Sequence, residues 1–388
     1  MNNTWKIYML TLISFLVGTS QFIISGILDK VASSVEVSVS AAGQLITVFA
    51  LANAIGTPIF MVATAKLNRR KQLLLALAII FLGIVTTIAL PGFAFLMVSR
   101  IILGVGTGVF VVTSYSTAAN LALPGSQAGA MSNIAMGFSA SLVLGVPIGR
   151  VIASVYDWKV IFWILGIFTV LGFIAIAKSI PSMESEVPVP LRKQLALLKN
   201  PKVAIALSVT FFVFIGYSVV NTYTTPFLTT AMSMGETEVS TILFAIGIAS
   251  LFGSKIGGFM ADRIGTNRTL VISMIAHALA LALLSIAVKS VFVAIALLML
   301  WAIAAWAFAP TQNFNLLSIS PEASGIMLSL NATFVQLGFA AGAGIGGIAV
   351  NSSSILAICW IGAVSVAVAI FVITVSFRLT SSLANTQR

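Results

Sequence analysis

The sequence predicts an all-α integral membrane protein with twelve transmembrane helices, and three observations support this fold class. Of the 388 residues, 59% are hydrophobic and only 7% are charged, whereas soluble domains carry about 25% charged residues. Twelve apolar windows are each long enough to cross the bilayer core as a helix of about 20 residues. Lys and Arg collect mainly between these windows. Because lipid offers no hydrogen-bond partner to an open strand, and the windows lack the alternation of barrel strands, each is predicted to be helical.

The first window follows the N-terminus directly and is longer than the apolar core of a signal peptide, so it is assigned as a membrane span. Pro147 and Pro310 are expected to kink spans 5 and 10, because proline interrupts helical hydrogen bonding. The predicted limits of the twelve spans are 5–28, 41–64, 72–91, 95–119, 130–153, 159–180, 203–228, 239–261, 269–288, 291–314, 324–350 and 354–378.

The distribution of basic residues predicts the orientation. With a cytoplasmic N-terminus, fourteen of the 20 Lys and Arg fall in inside segments, and only Lys30, Lys159 and Lys289 fall outside. Cytoplasmic loops carry the excess of positive charge in membrane proteins. We therefore expect a multi-pass protein of the inner (plasma) membrane with both termini in the cytoplasm.

The one long polar connection divides the chain into two halves of six spans. The predicted domains are an N-terminal bundle at 1–180, a cytoplasmic loop at 181–201 that includes Pro188 and Pro190, and a C-terminal bundle at 202–388. An internal repeat supports this division, since Gly137 and Gly145 of span 5 recur 201 residues later as Gly338 and Gly346 of span 11. Internal repeats of this kind are common in secondary transporters.

Several short motifs resemble those of a known family. The run 257–268, GGFMADRIGTNR, resembles the signature loop of the major facilitator superfamily, and the run 100–108, RIILGVGTG, resembles its Arg-x-x-x-Gly-x-Gly motif. Gly145, Pro147 and Gly149 are similar to the glycine-proline motif of the antiporter branch. The stretch 39–45, VSAAGQL, is similar to bacterial permeases that export arabinose-type sugars, purines or drugs.

The resemblance covers essentially the whole chain and implies the major facilitator fold, with two pseudo-symmetric six-helix bundles. It also implies a gate at the cytoplasmic loop after span 8, where Asp262 would accept hydrogen bonds from the N-terminus of a helix, most directly span 11. The residues that match this gating motif are Gly258, Asp262, Arg263, Gly265 and Arg268.

The chain departs from the family pattern at four positions. In the first-half copy of the loop, Ala65 replaces the Asp and Asn68 replaces the Gly, so this copy keeps only its positive charges. Gln21 occupies a position where many relatives carry Glu, and Arg150 replaces a small residue. These departures argue against a gating charge pair in the N-terminal half and against a protonatable carboxylate at position 21.

Carboxylates at membrane depth are the candidates for proton coupling, because ionisable groups in a membrane are expensive and usually functional. Of the nine acidic residues, only Asp29, at the outer end of span 1, is predicted to reach membrane depth. Arg100 in span 4 is the expected partner, since a cation favours the deprotonated form of a neighbouring carboxylate. A structural role for Asp29 at the interface is the alternative.

Polar and aromatic residues at mid-span depth are the candidates for solute binding. The resemblance directs spans 1, 4, 7 and 10 toward a central cavity, where amides could pair with hydroxyls or purine edges and aromatic rings could stack on sugars or bases. The same residues could instead join helices. The candidates are Gln21, Phe22, Ser25, Asn53, Tyr115, Tyr217, Asn221, Trp306, Gln312 and Asn313.

The sequence as a whole predicts a secondary active transporter, not an enzyme, that exports a small neutral or weakly charged solute in exchange for protons. Facilitated diffusion or uptake symport is the alternative. No Gly-x-x-x-x-Gly-Lys loop occurs, which argues against a self-contained ATP-driven pump. The expected partners are the solute, protons and the lipid bilayer. No cofactor, metal or nucleic acid is expected, and the chain is expected to act as a monomer.

Overall fold

The computed structural model describes residues 4–123, 127–182 and 191–386, and these residues form helices and turns without any strand. The predicted all-α membrane fold is confirmed, because twelve helical segments are long and apolar enough to cross a membrane. Numbered as spans 1 to 12, they are Thr4–Gly26, Val39–Ala63, Arg69–Ala89, Phe93–Leu121, Gly129–Val155, Lys159–Ser179, Pro201–Ala231, Glu236–Ile264, Thr266–Ala287, Val291–Ile319, Ile326–Ser352 and Ala357–Thr374.

The predicted span limits agree with the structure to within three residues, except at the ends of spans 10 and 12. Span 10 continues to Ile319, and the last helix, which contains span 12, runs over Ala357–Thr386. Within the predicted central loop, Pro188 and Pro190 lie outside the described residues. The rest of that loop includes a short helix at Leu191–Ala196 and a 3-10 turn at Leu197–Lys199.

The two copies of the repeated loop begin their helices differently. Asn68 has an extended backbone, with φ −66° and ψ 157°, and its side chain accepts a hydrogen bond from the Lys71 amide at 2.9 Å. This cap satisfies one of the free amides at the start of span 3. Gly265, its counterpart before span 9, has φ +90°, a conformation that residues with a Cβ rarely adopt. The sequence departure at Asn68 therefore accompanies a different local backbone.

Three π-helical turns interrupt the spans, and each lies beside a proline. Ala52–Gly56 precedes Pro58 in span 2, and Ser141–Gly145 precedes Pro147 in span 5 at the same spacing. Phe227–Ala231 follows Pro226 in span 7. The predicted irregularity at Pro147 therefore takes the form of a π turn, which inserts one extra residue into the helical ladder. Pro310, in contrast, lies within a continuous α-helix.

Glycines allow the repeated helices to approach each other closely. In span 5, a Cβ on Gly137 would collide with the Thr11 carbonyl of span 1. In span 11, a Cβ on Gly338 would lie 2.8 Å from the Phe211 carbonyl of span 7. Small residues at such positions let two backbones pack together. The repeated glycines thus make the same kind of contact, span 5 on span 1 and span 11 on span 7.

The chain forms two compact units. The first unit contains Met1–Pro188, Thr224–Thr229 and Met234–Gly247, and the second contains Val189–Tyr223, Thr230–Ser233 and Ile248–Arg388. Adjacent parts of spans 7 and 8 thus join the first unit, although both spans belong to the C-terminal half of the sequence. The domain limits at 180 and 202 stay a prediction from sequence.

Candidate functional site

Tyr217 lies at the centre of an aromatic cluster in the second unit. Its ring stacks on Trp301 of span 10, with the ring centres 5.3 Å apart and the planes 18° from parallel. Trp306 meets the ring edge-on at 6.1 Å, and Phe339 of span 11 does so at 5.6 Å. Phe214, one helical turn before Tyr217, lies 6.2 Å away. Spans 7, 10 and 11 thus place five aromatic rings together.

Hydrogen bonds hold this cluster in one arrangement. The Trp306 indole N–H donates to the Tyr217 hydroxyl at 3.3 Å, and the hydroxyl lies 3.2 Å from the Asn221 side-chain oxygen, to which it donates. The Trp301 indole N–H donates to Nε2 of His277 at 3.2 Å. Tyr217 is buried, whereas Trp306 and Asn221 are half-buried. The accessible part of the cluster therefore offers an indole face and an amide.

Gln312 and Asn313 take part in a second polar network of the second unit. The Gln312 amide N–H donates to the Ala206 carbonyl at 2.6 Å and to the Thr210 hydroxyl at 3.0 Å. Gln312 is 1% exposed, and its bonds join spans 7 and 10. Asn313 is exposed and accepts a bond from Asn331 at 2.8 Å. Of the two predicted residues, Asn313 is the one with an accessible side chain.

The candidates in the first unit do not form a comparable cluster. Gln21, Phe22 and Tyr115 are half-buried, and the structure records no hydrogen bond from Gln21 or Tyr115 to another described residue. The Ser25 hydroxyl donates to the Phe22 carbonyl within its own helix at 2.7 Å. Asn53 is buried in the π turn of span 2. Gln21 and Tyr115 thus keep side-chain polar groups that bond to no other described residue, but the five residues do not define a site by themselves.

The expected pairing of Asp29 with Arg100 is wrong. Asp29 lies in a short helix after span 1, Leu28–Ser34, and its carboxylate is hydrogen-bonded by Arg150 of span 5. Arg100 instead donates to the Ser20 carbonyl at 3.3 Å and lies 5.1 Å above the Phe162 ring. Ser20 precedes Asp29 by nine residues, or roughly 13 Å of helix, so Arg100 lies too deep to reach this carboxylate.

Sequence reasoning also misses Glu236, because the predicted span 8 begins at residue 239 and leaves Glu236 in a loop. In the structure Glu236 begins span 8, and its carboxylate lies 2.8 Å from Arg150 and 2.6 Å from Lys30. In the sequence, Arg150 stands out only as a departure from the family pattern. Nothing in residue spacing could predict an ion pair between side chains so far apart in sequence. We call Asp29, Lys30, Arg150 and Glu236 the ionic cluster.

The predicted gating motif lies at the junction of spans 8 and 9. Span 8 continues through Asp262 and Arg263 to Ile264, and Gly265 makes the turn. Arg263 lies 4.7 Å above the Phe259 ring. Asp262 is exposed, and no hydrogen bond or ion pair joins it to another described residue. The expected bond to span 11 is therefore absent from this conformation of the described chain.

The predicted antiporter motif packs against span 1. A Cβ on Gly145 would collide with the Thr19 side chain, and a Cβ on Gly149 would collide with Ile23. Pro147 follows the π turn in the first turn of the next α-helical segment. These residues bring span 5 close to span 1 and position Arg150 beside Asp29.

A sequence model of the Major Facilitator Superfamily matches the chain at residues 10–227 and again at 206–388. The chain belongs to the major facilitator superfamily. It is thus a transporter of this superfamily and a multi-pass membrane protein, and the resemblance carried by the sequence motifs is confirmed.

Other major facilitator proteins are similar over nearly the whole chain. The "Uncharacterized MFS-type transporter YbcL" of Bacillus subtilis (strain 168) is 45% identical over 370 residues, covering 95% of each chain. The "Inner membrane transport protein YdhP" of Escherichia coli (strain K12) is 28% identical over 341 residues, covering 87% of each chain.

Solved structures share the major facilitator fold at low sequence identity. A D-xylose-proton symporter matches with a TM-score of 0.77 at 17% identity, covering 96% of this chain and 97% of that chain. The nucleoside transporter NupG matches with a TM-score of 0.77 at 14% identity, covering 97% of this chain and all of that chain. At this level of identity the similarity establishes the fold alone.

Proposed function

We propose that this transporter works by alternating access and exports a small neutral or weakly charged solute, of the sugar, purine or drug-like class, in exchange for protons. The aromatic cluster around Tyr217 is the observation that supports the solute class. Its accessible groups are the Trp306 indole face and the Asn221 amide, and the hydrogen bonds and ring contacts of Tyr217 to described residues all involve uncharged side chains. Rings and amides suit flat or hydroxylated neutral solutes, because they offer stacking and hydrogen bonds without a formal charge.

The half-buried polar and aromatic side chains of the first unit stay proposed solute-binding residues. Gln21, Phe22 and Tyr115 would supply further amide and aromatic groups, with Ser25 and Asn53 as smaller polar contributors. Asn313 would add an accessible amide in the second unit, whereas Gln312 would hold spans 7 and 10 together. Ligand pockets commonly combine a mostly apolar lining with a few such polar groups.

Asp29 is the proposed proton-binding residue, with Arg150 rather than Arg100 as its partner. Its side chain is 26% exposed, so water can reach the carboxylate. The proposed topology places this carboxylate near the outer face of the inner membrane, with both termini in the cytoplasm. Protons would then reach Asp29 from the outside.

Proton movement in proteoliposomes tests the function. The purified protein is reconstituted with a pH-sensitive dye inside and challenged with pentoses, purine bases, nucleosides and cationic dyes. We expect one class to trigger a proton signal in the wild type. Export against a solute gradient, driven by an imposed pH gradient, would support antiport. Accumulation in the same direction as protons would instead indicate uptake symport, and solute movement without a proton signal would indicate facilitated diffusion.

Asp29→Asn identifies the coupling residue in the same assay. If Asp29 carries the proton, the variant gives no solute-triggered proton signal. Asp157→Asn is the matched control, because Asp157 is an exposed loop aspartate whose carboxylate accepts only the Lys159 amide bond at 2.7 Å among the described residues. Proton-coupled transport by Asp29→Asn at the wild-type rate would contradict the assignment.

A further inference from the structure

The ionic cluster joins three elements at one end of the first unit. Asp29 and Lys30 lie on the short helix after span 1, Arg150 on span 5, and Glu236 at the start of span 8. The four side chains alternate in sign in the order Asp29, Arg150, Glu236, Lys30. The Arg150 side chain has no exposed surface, whereas Lys30 and Glu236 are 33% and 41% exposed. The buried Arg150 guanidinium is thus paired with Asp29 and Glu236, and Glu236 in turn pairs with Lys30 at the exposed side of the cluster.

Two further contacts join spans 7 and 8 to spans 1 and 5, one near the cluster and one further along the helices. The Thr225 hydroxyl of span 7 donates to the Ser25 carbonyl at 3.1 Å. A Cβ on Gly247 of span 8 would lie 2.6 Å from the Cα of Val143 in span 5, so the two backbones are in close contact. Spans 7 and 8 come from the second half of the sequence, and spans 1 and 5 come from the first. Alternating access requires contacts of this kind to separate in each cycle.

The ion pair of Asp29 with Arg150 can persist while the two ion pairs of Glu236, with Arg150 and with Lys30, separate. A buried cation is strongly destabilised when it loses its partner. If Glu236 moves away with span 8, Arg150 keeps Asp29 as its counter-ion, and both residues stay within the first half of the chain. Glu236 and Lys30 are already partly exposed, so separation returns both charges to water at little cost. The arrangement therefore permits reversible separation at Glu236.

We propose that Glu236 is the detachable counter-ion of Arg150, and that its release opens this end of the transporter. Asp29 stays beside Arg150 in both states, and Glu236 is released only while the Asp29 carboxylate is ionised and neutralises the buried guanidinium. This inference rests on the proposed alternating-access cycle, but not on the identity of the solute or on proton coupling, because an ion-pair latch would serve any carrier.

The reactivity of a single thiol behind the cluster tests the proposal. Thr225→Cys is made in a Cys359→Ala background, which removes the one native cysteine. Thr225 has no exposed surface and packs on the Ser25 and Gly26 carbonyls. The introduced thiol should therefore react slowly with N-ethylmaleimide, a reagent that reaches both sides of the membrane. No solute is needed, so a failure of the proton assay leaves this measurement intact.

Glu236→Gln should raise the labelling rate about tenfold, because it removes the ion pairs that favour the closed arrangement. Glu238→Gln is the matched control, since Glu238 lies in the same helical turn but accepts only from the Gly235 amide at 2.8 Å among the described residues. We expect its labelling rate to stay at the parent value. Fast labelling of the parent, or no change with Glu236→Gln, would overturn the proposal.

A cross-link provides a second measurement that does not depend on Thr225. Lys30→Cys and Glu236→Cys together place two thiols where the charged groups now lie 2.6 Å apart. A short bifunctional thiol reagent with a reducible spacer should lock this end and stop transport of the solute found in the screen, and reduction should restore it. Full transport by the cross-linked protein would overturn the assignment.

Discussion

The Tyr217 hydroxyl is positioned by two neighbours, since it accepts from Trp306 and donates to Asn221. Tyr217→Phe keeps the ring stacked on Trp301 but removes both bonds. Because a neutral hydrogen bond contributes about 0.5–1.5 kcal/mol, we expect KM for the solute to rise several-fold with little change in the maximal rate. Tyr217→Ala should abolish transport while the protein still folds. Both effects are measured as solute flux in proteoliposomes.

Tyr8→Phe is the control for this series, because Tyr8 of span 1 is exposed and lies outside the cluster. It should transport at the wild-type KM. If Tyr217→Ala also transported normally, the aromatic cluster would have no part in solute binding.

Alanine substitutions at Gly265 and Gly258 of the gating motif are expected to have opposite effects on stability. Gly265 has φ +90°, so Gly265→Ala should lower the free energy of unfolding by about 1–2 kcal/mol. Gly258 is helical with open space around it, so Gly258→Ala should be neutral or stabilising by up to about 1 kcal/mol. The thermal midpoint of the detergent-solubilised protein measures both. An equal fall in the thermal midpoint of both variants would show that the positive φ of Gly265 does not control stability here.

Residue identity selects candidates but does not predict their contacts. Tyr217, Asn221 and Trp306 are candidates because they are polar or aromatic at mid-span depth, and the structure joins them by hydrogen bonds. The expected partner of Asp29 is wrong, because Arg150 and not Arg100 contacts its carboxylate, and the role of Asp29 stays a prediction. Arg150 and Glu236 come from distant spans, and their contact depends on the packing of whole helices. The residues around Arg150 and Glu236 in the sequence do not determine how these distant helices pack.

The helices themselves followed directly from hydropathy, because a bilayer requires a minimum apolar length and saturated backbone hydrogen bonds. The π turns did not follow from it. Pro58 and Pro147 follow similarly placed π turns in spans 2 and 5, yet of these two prolines the sequence analysis predicts a kink only at Pro147. Proline indicates a break in the helix, whereas the choice between a kink and an extra residue depends on neighbouring spans.

The equivalent glycines of spans 5 and 11 predict equivalent sensitivity to side-chain size. Gly137→Val and Gly338→Val each place methyl groups against the backbone of the facing helix. Overpacking of this kind costs about 1–3 kcal/mol or more, so we expect both variants to lose most of their monodisperse protein on gel filtration. Gly129→Val is the control, since nothing lies near Gly129. Loss of monodisperse protein in only one of these two variants would argue against equivalent packing of spans 5 and 11.

At the scale of the whole molecule, Asp262 is proposed to control the cytoplasmic gate. The carboxylate is exposed and carries no recorded bond to a described residue, so its partner would be met only in another state of the cycle. Asp262→Asn should leave insertion and stability unchanged but slow turnover several-fold. Solute flux per molecule of reconstituted protein is the measurement. Glu322→Gln, at an exposed acid before span 11, should transport normally.

The burial of Arg150 has a consequence for biosynthesis. Chains are made from the N-terminus, so Asp29 enters the membrane 121 residues before Arg150 does. The guanidinium therefore meets its counter-ion as span 5 is inserted, long before Glu236 has left the ribosome. A nascent chain that has emerged only as far as span 6 already holds a neutral pair at this position, and the later half can dock onto it without rescuing an unpaired charge in lipid.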